Sequence, residues 1–488
     1  MMAKRRYMKK MGRACKALGL MMAVVMTCAI QAQELSNGWS EADSAMVAYI
    51  HAQILGKGQC YEDLRVLCKD VGARLSGSVQ ADAAILWGAK TLEEIGAAAV
   101  RMQPVVVPHW DRGGKERAWM RVDGGDPEPL RIAALGGSVG TDGTVEAEVA
   151  VFRDFDELDS LGAEGLAGRI AFFNRPMDPL TINAGNAYGG AYEQRSRGAV
   201  EAAEHGGVAA LVRSLTHALD TFPHTGGMRY DDAVRQVPAA AVSTVDARRI
   251  AGLVADGHEV KVGLEMGCVL HGEKTQANVI AEWTGTEHPD RFIVVGGHLD
   301  SWDIGEGAHD DGAGIVQSIE VLRSLHALGY RPRHTLRVVL FINEENGNNG
   351  GKTYAQRARE RGEWHVAAVE SDAGGDAPRG FSIDATDDAT DAVRAWREDF
   401  MDYGVGDMRR GGAGVDIGPL KKEEPAGKRP LMVGLRPNSQ RYFDYHHSDR
   451  DVFENVHERE LKLGAAALTS MVYMLDQLDY DAIDGNQD

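Results

Sequence analysis

The sequence predicts an α/β protein: a mixed, mainly parallel sheet sandwiched by helices and interrupted by an inserted, smaller unit. Three observations predict it. From about residue 273 onward, apolar strand-like runs alternate with amphipathic helical runs, the rhythm of a parallel sheet with helices on both faces. One run, LRVVLFIN at 336–343, is apolar almost throughout, as a strand covered on both faces requires. Between about 123 and 272 the rhythm changes to short strands and short helices rich in Gly, Ala and Val, which reads as an inserted unit. A chain of 488 residues suits two such units, or one large domain carrying an insertion.

The first residues stand apart. Lys4, Arg5, Arg6, Lys9, Lys10, Arg13 and Lys16 form a basic leader without an acidic residue. ALGLMMAVVMTCAI then supplies an uncharged run too short to span a bilayer but suited to a signal-peptide core. Ala32 offers a cleavage point, so 1–32 is expected to be removed from an exported protein, periplasmic or secreted. The chain carries a net charge of −19, and losing that leader makes the remainder more acidic still. Such a balance argues against nucleic-acid and anionic-membrane partners. Cys60 and Cys68 lie about 12 Å apart along a helix, too far to bridge, and with Cys268 they are expected to be buried free thiols.

Residues 33–122 are expected to begin the main domain. CYEDLRVLCKDVGARL and DAAILWGAKTLEEIG have helical periodicity, and VRMQPVVVPHW and ERAWMRVDG read as strands. The inserted unit is expected over 123–272. Its segment HALDTFPHTGGMRY, with His217, His224 and Met228, reads as a surface loop, with a loop reaching over the active site as the alternative. The main domain resumes over 273–488. QANVIAEW, RFIVVGG, LRVVLFIN and HVAAVESD are strands, and GIVQSIEVLRSLHAL and KLGAAALTSMVYMLDQL are helices. RRGGAGVDIGPLKKEEPAG is Gly-rich and reads as a loop near the pocket.

Sites in open α/β sheets form at the carboxyl ends of strands. His298 follows RFIVVGG, Glu344 and Glu345 follow LRVVLFIN, and Asp372 follows VAAVES. Asp310 precedes a helix, and His447 lies in the loop NSQRYFDYHHSDRD. Any one of them alone would be an ordinary solvated side chain. Together they are two imidazoles and several carboxylates without a thiolate, a donor set suited to zinc in a hydrolytic site. Asp310, in the Gly-flanked loop GAHDDGAG, can bridge two ions. His298 and Asp372 would hold one of them, and Glu345 and His447 the other. Glu344 is then free to move a proton between water and the leaving amine. Asp300 is expected to accept the second ring N–H of His298, and Asp451 to do the same for His447.

GGHLDSWDIGEGAHDDGAG, NEENGNNGG, ESDAGG and YHHSDRD, in that order, resemble the co-catalytic di-zinc exopeptidases. The branch resembled is that of plasma glutamate carboxypeptidase (carboxypeptidase Q) and its bacterial relatives, which also resembles bacterial zinc aminopeptidases. The resemblance implies a zinc-exopeptidase-like fold with a protease-associated-like cap at the insertion. It implies two Zn²⁺ held by His298, Asp310, Glu345, Asp372 and His447, with Asp310 bridging, and Glu344 as general acid/base. It implies His447 rather than His446 as ligand, and a cis peptide between Asp310 and Asp311. The expected partner is a peptide substrate, and a homodimer is left open. Val452, where the family often has Thr, and His309 depart near the substrate pocket. Three readings compete: a carboxypeptidase or dipeptidase, an aminopeptidase on the same site, and a non-catalytic binding protein or single-zinc glutaminyl cyclase on the same fold.

Overall fold

The computed structural model describes residues 39–114, 116–162, 165–423 and 429–484, so the expected leader lies outside the described residues. Two eight-stranded sheets organise them. The first runs in the order Ala99–Asp111, Val269–Trp283, His334–Phe341, His288–His298, Trp364–Glu370, Leu431–Pro437, Pro378–Asp384, Asp407–Arg410. Its centre is parallel: His288–His298 pairs in parallel with strands on both sides, and Trp364–Glu370 with Leu431–Pro437. Antiparallel pairs flank this centre. The expected α/β class, mixed and mainly parallel, is the class observed.

Alternation decides which helices cover which face. Val338 and Leu340 join Ile293, Val295 and Val369 in a core against the helices Ala313–Ala327 and Glu458–Gln477. Val339 and Phe341 turn the other way, with Val294, Ala368 and Met432, against the helix Asn349–Arg361. Every residue of His334–Phe341 is buried. Arg337 is tolerated there because Glu282 at 2.9 Å and Glu363 at 2.6 Å neutralise it.

Val269–Trp283 and His288–His298 follow each other in sequence but are not neighbours, since His334–Phe341 lies between them. The link crosses the start of that strand. The Gly285 N–H donates to Thr335 Oγ1 at 3.0 Å, and a Cβ on Gly285 would meet Arg333 O at 2.5 Å.

The second sheet runs Glu128–Leu130, Glu116–Val122, Val260–Met266, Val145–Phe152, Ile170–Phe173, Ala209–Arg213, Ala239–Val242, Ile132–Ala134. Glu116–Val122, expected in the first unit, pairs antiparallel with Val260–Met266, so this sheet begins before the expected boundary at 123. Local pattern marks both ERAWMRVDG and its predecessor as strands but does not say which sheet each joins. Asp111 pairs with Val269, so the chain leaves and re-enters the first sheet at one place. An excursion of that kind leaves the host sheet intact.

Cys60, Cys68 and Cys268 are buried free thiols, as expected. Among the described residues no helix is long and apolar enough to cross a membrane.

Truncating Leu340 tests the packing. Its Cδ1 lies 2.6 Å from where a Cβ on Gly88 would stand, so helix Val79–Glu94 sits directly on it. Leu340→Ala should destabilise the fold by about 2–5 kcal/mol, read as a lowered thermal unfolding midpoint.

Candidate active site

Three adjacent parallel strands deliver the site at their carboxyl ends. His298 is the last residue of its strand. Glu344 and Glu345 follow His334–Phe341 through Asn343, whose φ of +71° turns the chain sharply. Asp372 lies just past Trp364–Glu370. Asp310 comes from the segment before helix Ala313–Ala327, and the Asp310–Asp311 peptide is cis, as the resemblance implied. His447 reaches in from a separate loop with φ +61°.

The structure brings these side chains together. Asp310 Oδ1 lies 3.1 Å from His298 Nε2, and Asp310 Oδ2 lies 3.2 Å from His447 Nε2. The same His298 nitrogen is 3.6 Å from Asp372 Oδ1. The same His447 nitrogen is 3.2 Å from Glu345 Oε2. Asp310 therefore stands between two imidazole–carboxylate pairs, with one oxygen toward each. Each imidazole is oriented from behind. His298 Nδ1 donates to the Asp300 main-chain oxygen at 2.9 Å, and His447 Nδ1 to the Thr225 main-chain oxygen at 3.3 Å. Each Nε2 is left facing the cluster, where it can ligate a cation once deprotonated.

The electrostatics suit a cation. Burial raises the Glu345 carboxyl to about 7, with the neighbouring Asp310 adding to the effect. Burial raises Glu344 well above the usual carboxylate range. Burial alone would raise Asp310 too, but His298 and His447 outweigh it and hold it well below that range. Burial alone would lower His298, but Asp372 and Asp310 hold it well above its usual value. Asp310 Oδ2 and Glu345 Oε1 are buried without a hydrogen-bond donor. Orphaned carboxylate oxygens beside imidazole lone pairs are the donor set of a divalent-metal site, and a cation would relieve their repulsion. Two overlapping triads, His298–Asp310–Glu345 and His298–Asp311–Asp372, have donor atoms close enough to share an ion. Asp310, His446 and His447 form a third. His446 stacks on His447 with centroids 3.5 Å apart and approaches Asp310 at 3.5 Å, but Glu345 pairs with His447.

Three expectations need correction. The Asp300 carboxylate does not hold the His298 ring: its Oδ1 is 3.9 Å away, and the main-chain oxygen does that work. Asp300 Oδ1 instead accepts the Glu344 N–H at 3.1 Å. Asp451 does not reach the His447 ring. Its two oxygens accept the N–H groups of His309 at 2.6 Å and Asp310 at 3.1 Å. The loop carrying His224 is a surface loop only in part: His217 and Leu219 are exposed, but the stretch around His224 turns inward. His224 is buried with Nδ1 donating to His446 O at 2.7 Å, and the Thr225 N–H donates to His447 O at 2.9 Å. A polar, glycine-containing segment looks exposed in sequence, and only its packing against the distant His446–His447 loop buries His224 and Thr225.

The sequence reading missed several neighbours. Arg195, from a helix of the second sheet, is buried 3.4 Å from His447 Nδ1 and donates to Thr225 O. Asp311 Oδ2 accepts the His298 N–H at 3.1 Å. Glu370 accepts the N–H groups of Val415 at 2.8 Å and Ile417 at 2.9 Å, which fastens the Gly-rich loop to the site. Asp416 in that loop is buried, and burial together with Glu370 raises it well above the carboxylate range. The adjacent pair Asp310–Asp311 was a visible signal for Asp311. None existed for Arg195, which lies over a hundred residues from any ligand candidate.

Asp451 provides a test of this outer support. Asp451→Ala frees the N–H groups that set the position of Asp310 and should weaken divalent-cation binding about 10–100-fold, measured by competition with a chromogenic chelator.

A family model described as Peptidase family M28 matches residues 278–470. Carboxypeptidase Q from Bos taurus is 31% identical over 454 residues, covering 92% of both chains. The crystal structure of a Peptidase M28 precursor from Shewanella amazonensis SB2B is 32% identical, with a TM-score of 0.85 over 90% of this chain and 98% of that one. The fold is also similar to that of a zinc aminopeptidase from Bacillus subtilis, at 17% identity and a TM-score of 0.60 over 85% of this chain and 93% of that one. The chain therefore belongs to peptidase family M28 and is a metallopeptidase.

Proposed function

We propose that the protein is an exported zinc exopeptidase that hydrolyses dipeptides or short peptides at a two-metal centre bridged by Asp310. The single observation that carries this reading is the placement of Asp310, with one oxygen 3.1 Å from His298 and the other 3.2 Å from His447. His298 and Asp372 would hold one ion, and Glu345 and His447 the second. Bound there, two zinc ions would supply Lewis-acid polarisation of the scissile carbonyl and acidify an attacking water. The protein's own groups supply the rest. Glu344 is half-buried, and its raised affinity for a proton suits a base that takes one from water and passes it to the leaving amine. Asp300 fixes the Glu344 backbone through its N–H.

The near end-to-end match to carboxypeptidase Q favours the carboxypeptidase or dipeptidase reading over an aminopeptidase. The likeness to aminopeptidases is one of fold. The second sheet is read as a protease-associated-like cap. Thr225, His224 and Arg195 all bear on the His446–His447 loop, which supports that reading.

Glu344→Gln should lower kcat at least a hundredfold while zinc content stays at two per chain, read by peptide hydrolysis and elemental analysis of the same sample. Unchanged turnover would remove the assigned role, and one zinc per chain would favour the cyclase alternative. Chelation should abolish hydrolysis, and added zinc should restore it.

Proton competition sets a pH dependence. Glu345, raised to about 7 in the metal-free protein, is protonated below that value, and a protonated carboxyl cannot ligate. Cation affinity should therefore rise with pH and fall as pH drops through about 7, measured by chelator competition across pH 5–9.

A further inference from the structure

The cluster sits between two cavities. One of about 740 Å³ includes Glu345 in its wall, and another of about 600 Å³ includes Asp372. A peptide whose scissile bond lies at Asp310 would extend into both. The second cavity holds an arginine, Arg436, with no ion pair among the described residues.

Arg436 lies in the strand Leu431–Pro437, which runs parallel to Trp364–Glu370 with Gly434 opposite Glu370. Two residues further on, Arg436 lies on the same face of its strand as Gly434, and it shares the wall of the cavity with Asp372. Gly434 on that face is closely covered, since a Cβ there would meet Ala413 O at 2.5 Å and Ser382 Oγ at 2.7 Å, and both of those residues line the cavity with it. Arg436 is half-buried and lines the cavity. Among the described residues it has no ion pair. The carboxylates nearby are engaged elsewhere. Glu370 accepts two backbone N–H groups, and Asp372 faces His298. The cavity's other arginines are also engaged, Arg409 by Asp407 at 2.5 Å and Arg410 by Asp387.

An unpaired, half-buried guanidinium in a protein of net charge −19 is a local exception that needs a ligand. Its planar fork matches a carboxylate. We infer that Arg436 binds a substrate carboxylate beside the scissile bond and so sets specificity. Arg436 and Asp372 line one cavity, so a carboxylate that Arg436 holds lies on the Asp372 side of the scissile bond. The C-terminal carboxylate of a dipeptide fits this position, and an acidic side chain offers the same chemistry. This inference rests on the peptidase reading above.

Four peptides separate the possibilities: a dipeptide with a free carboxyl terminus, its C-terminal amide, and the pair with Glu or Gln as the terminal residue. The unmodified protein should prefer the free acid over the amide at least tenfold in kcat/KM, with little difference between Glu and Gln. In Arg436→Gln the acid-to-amide ratio should fall at least tenfold, and Arg436→Lys should restore part of it. A Glu-over-Gln preference that Arg436→Gln abolishes would assign the carboxylate to the side chain and support the same contact. Equal rates on all four peptides in the unmodified protein would overturn the inference while leaving the peptidase reading intact. So would ratios unchanged in Arg436→Gln. No hydrolysis of any of the four, with zinc present, would instead defeat the peptidase reading.

Discussion

Asp310, Glu344, Glu345 and Asp372 share one partly buried volume, and the cost of holding like charges there governs the rest of the structure. Removing a carboxylate from water is costly, and bringing others near it costs more. Two imidazoles interleave with the acids and offset part of that repulsion, which is why Asp310 is held well below the usual carboxylate range although it is buried. The rest of the repulsion is left for a cation to relieve.

The backbone around the cluster is held by a second group of acids. Asp300, Asp311, Glu370 and Asp451 are buried, and their oxygens accept main-chain N–H groups. Each fixes a segment bearing a site residue or lining the cavity: Glu344, His298, the Gly-rich loop and Asp310. The strained turns at Asn343 and His447, both with positive φ, lie in the same shell. Such conformations persist only where the surroundings over-determine them. Asp300 supplies that constraint beside Asn343, and the contacts from Thr225 and His224 supply it at the His447 loop.

The second sheet joins the site without disturbing the first. It hangs from the adjacent ends Asp111 and Val269, so it adds a wall to the cleft while the host strands keep their register. Through Thr225, His224 and Arg195 it touches the loop that carries His447. The position of that imidazole therefore depends on both sheets.

Much of this was legible in the amino-acid order. The strand–helix rhythm predicted the sheet and its two covered faces, because periodicity follows directly from which face is buried. Six acids and imidazoles at strand ends and loop tips marked the site, because parallel strands bring such ends to one edge. Other features depended on contacts between residues far apart in the chain. The insertion of His334–Phe341 between two consecutive strands, the transfer of Glu116–Val122 to the second sheet, and the burial of His224 are of this kind. So is the redirection of Asp300 and Asp451 toward backbone N–H groups. Local sequence determined what each segment is and which residues can ligate or carry protons. Tertiary packing alone decided what each carboxylate faces, because that depends on which distant backbone is brought within 3 Å of it.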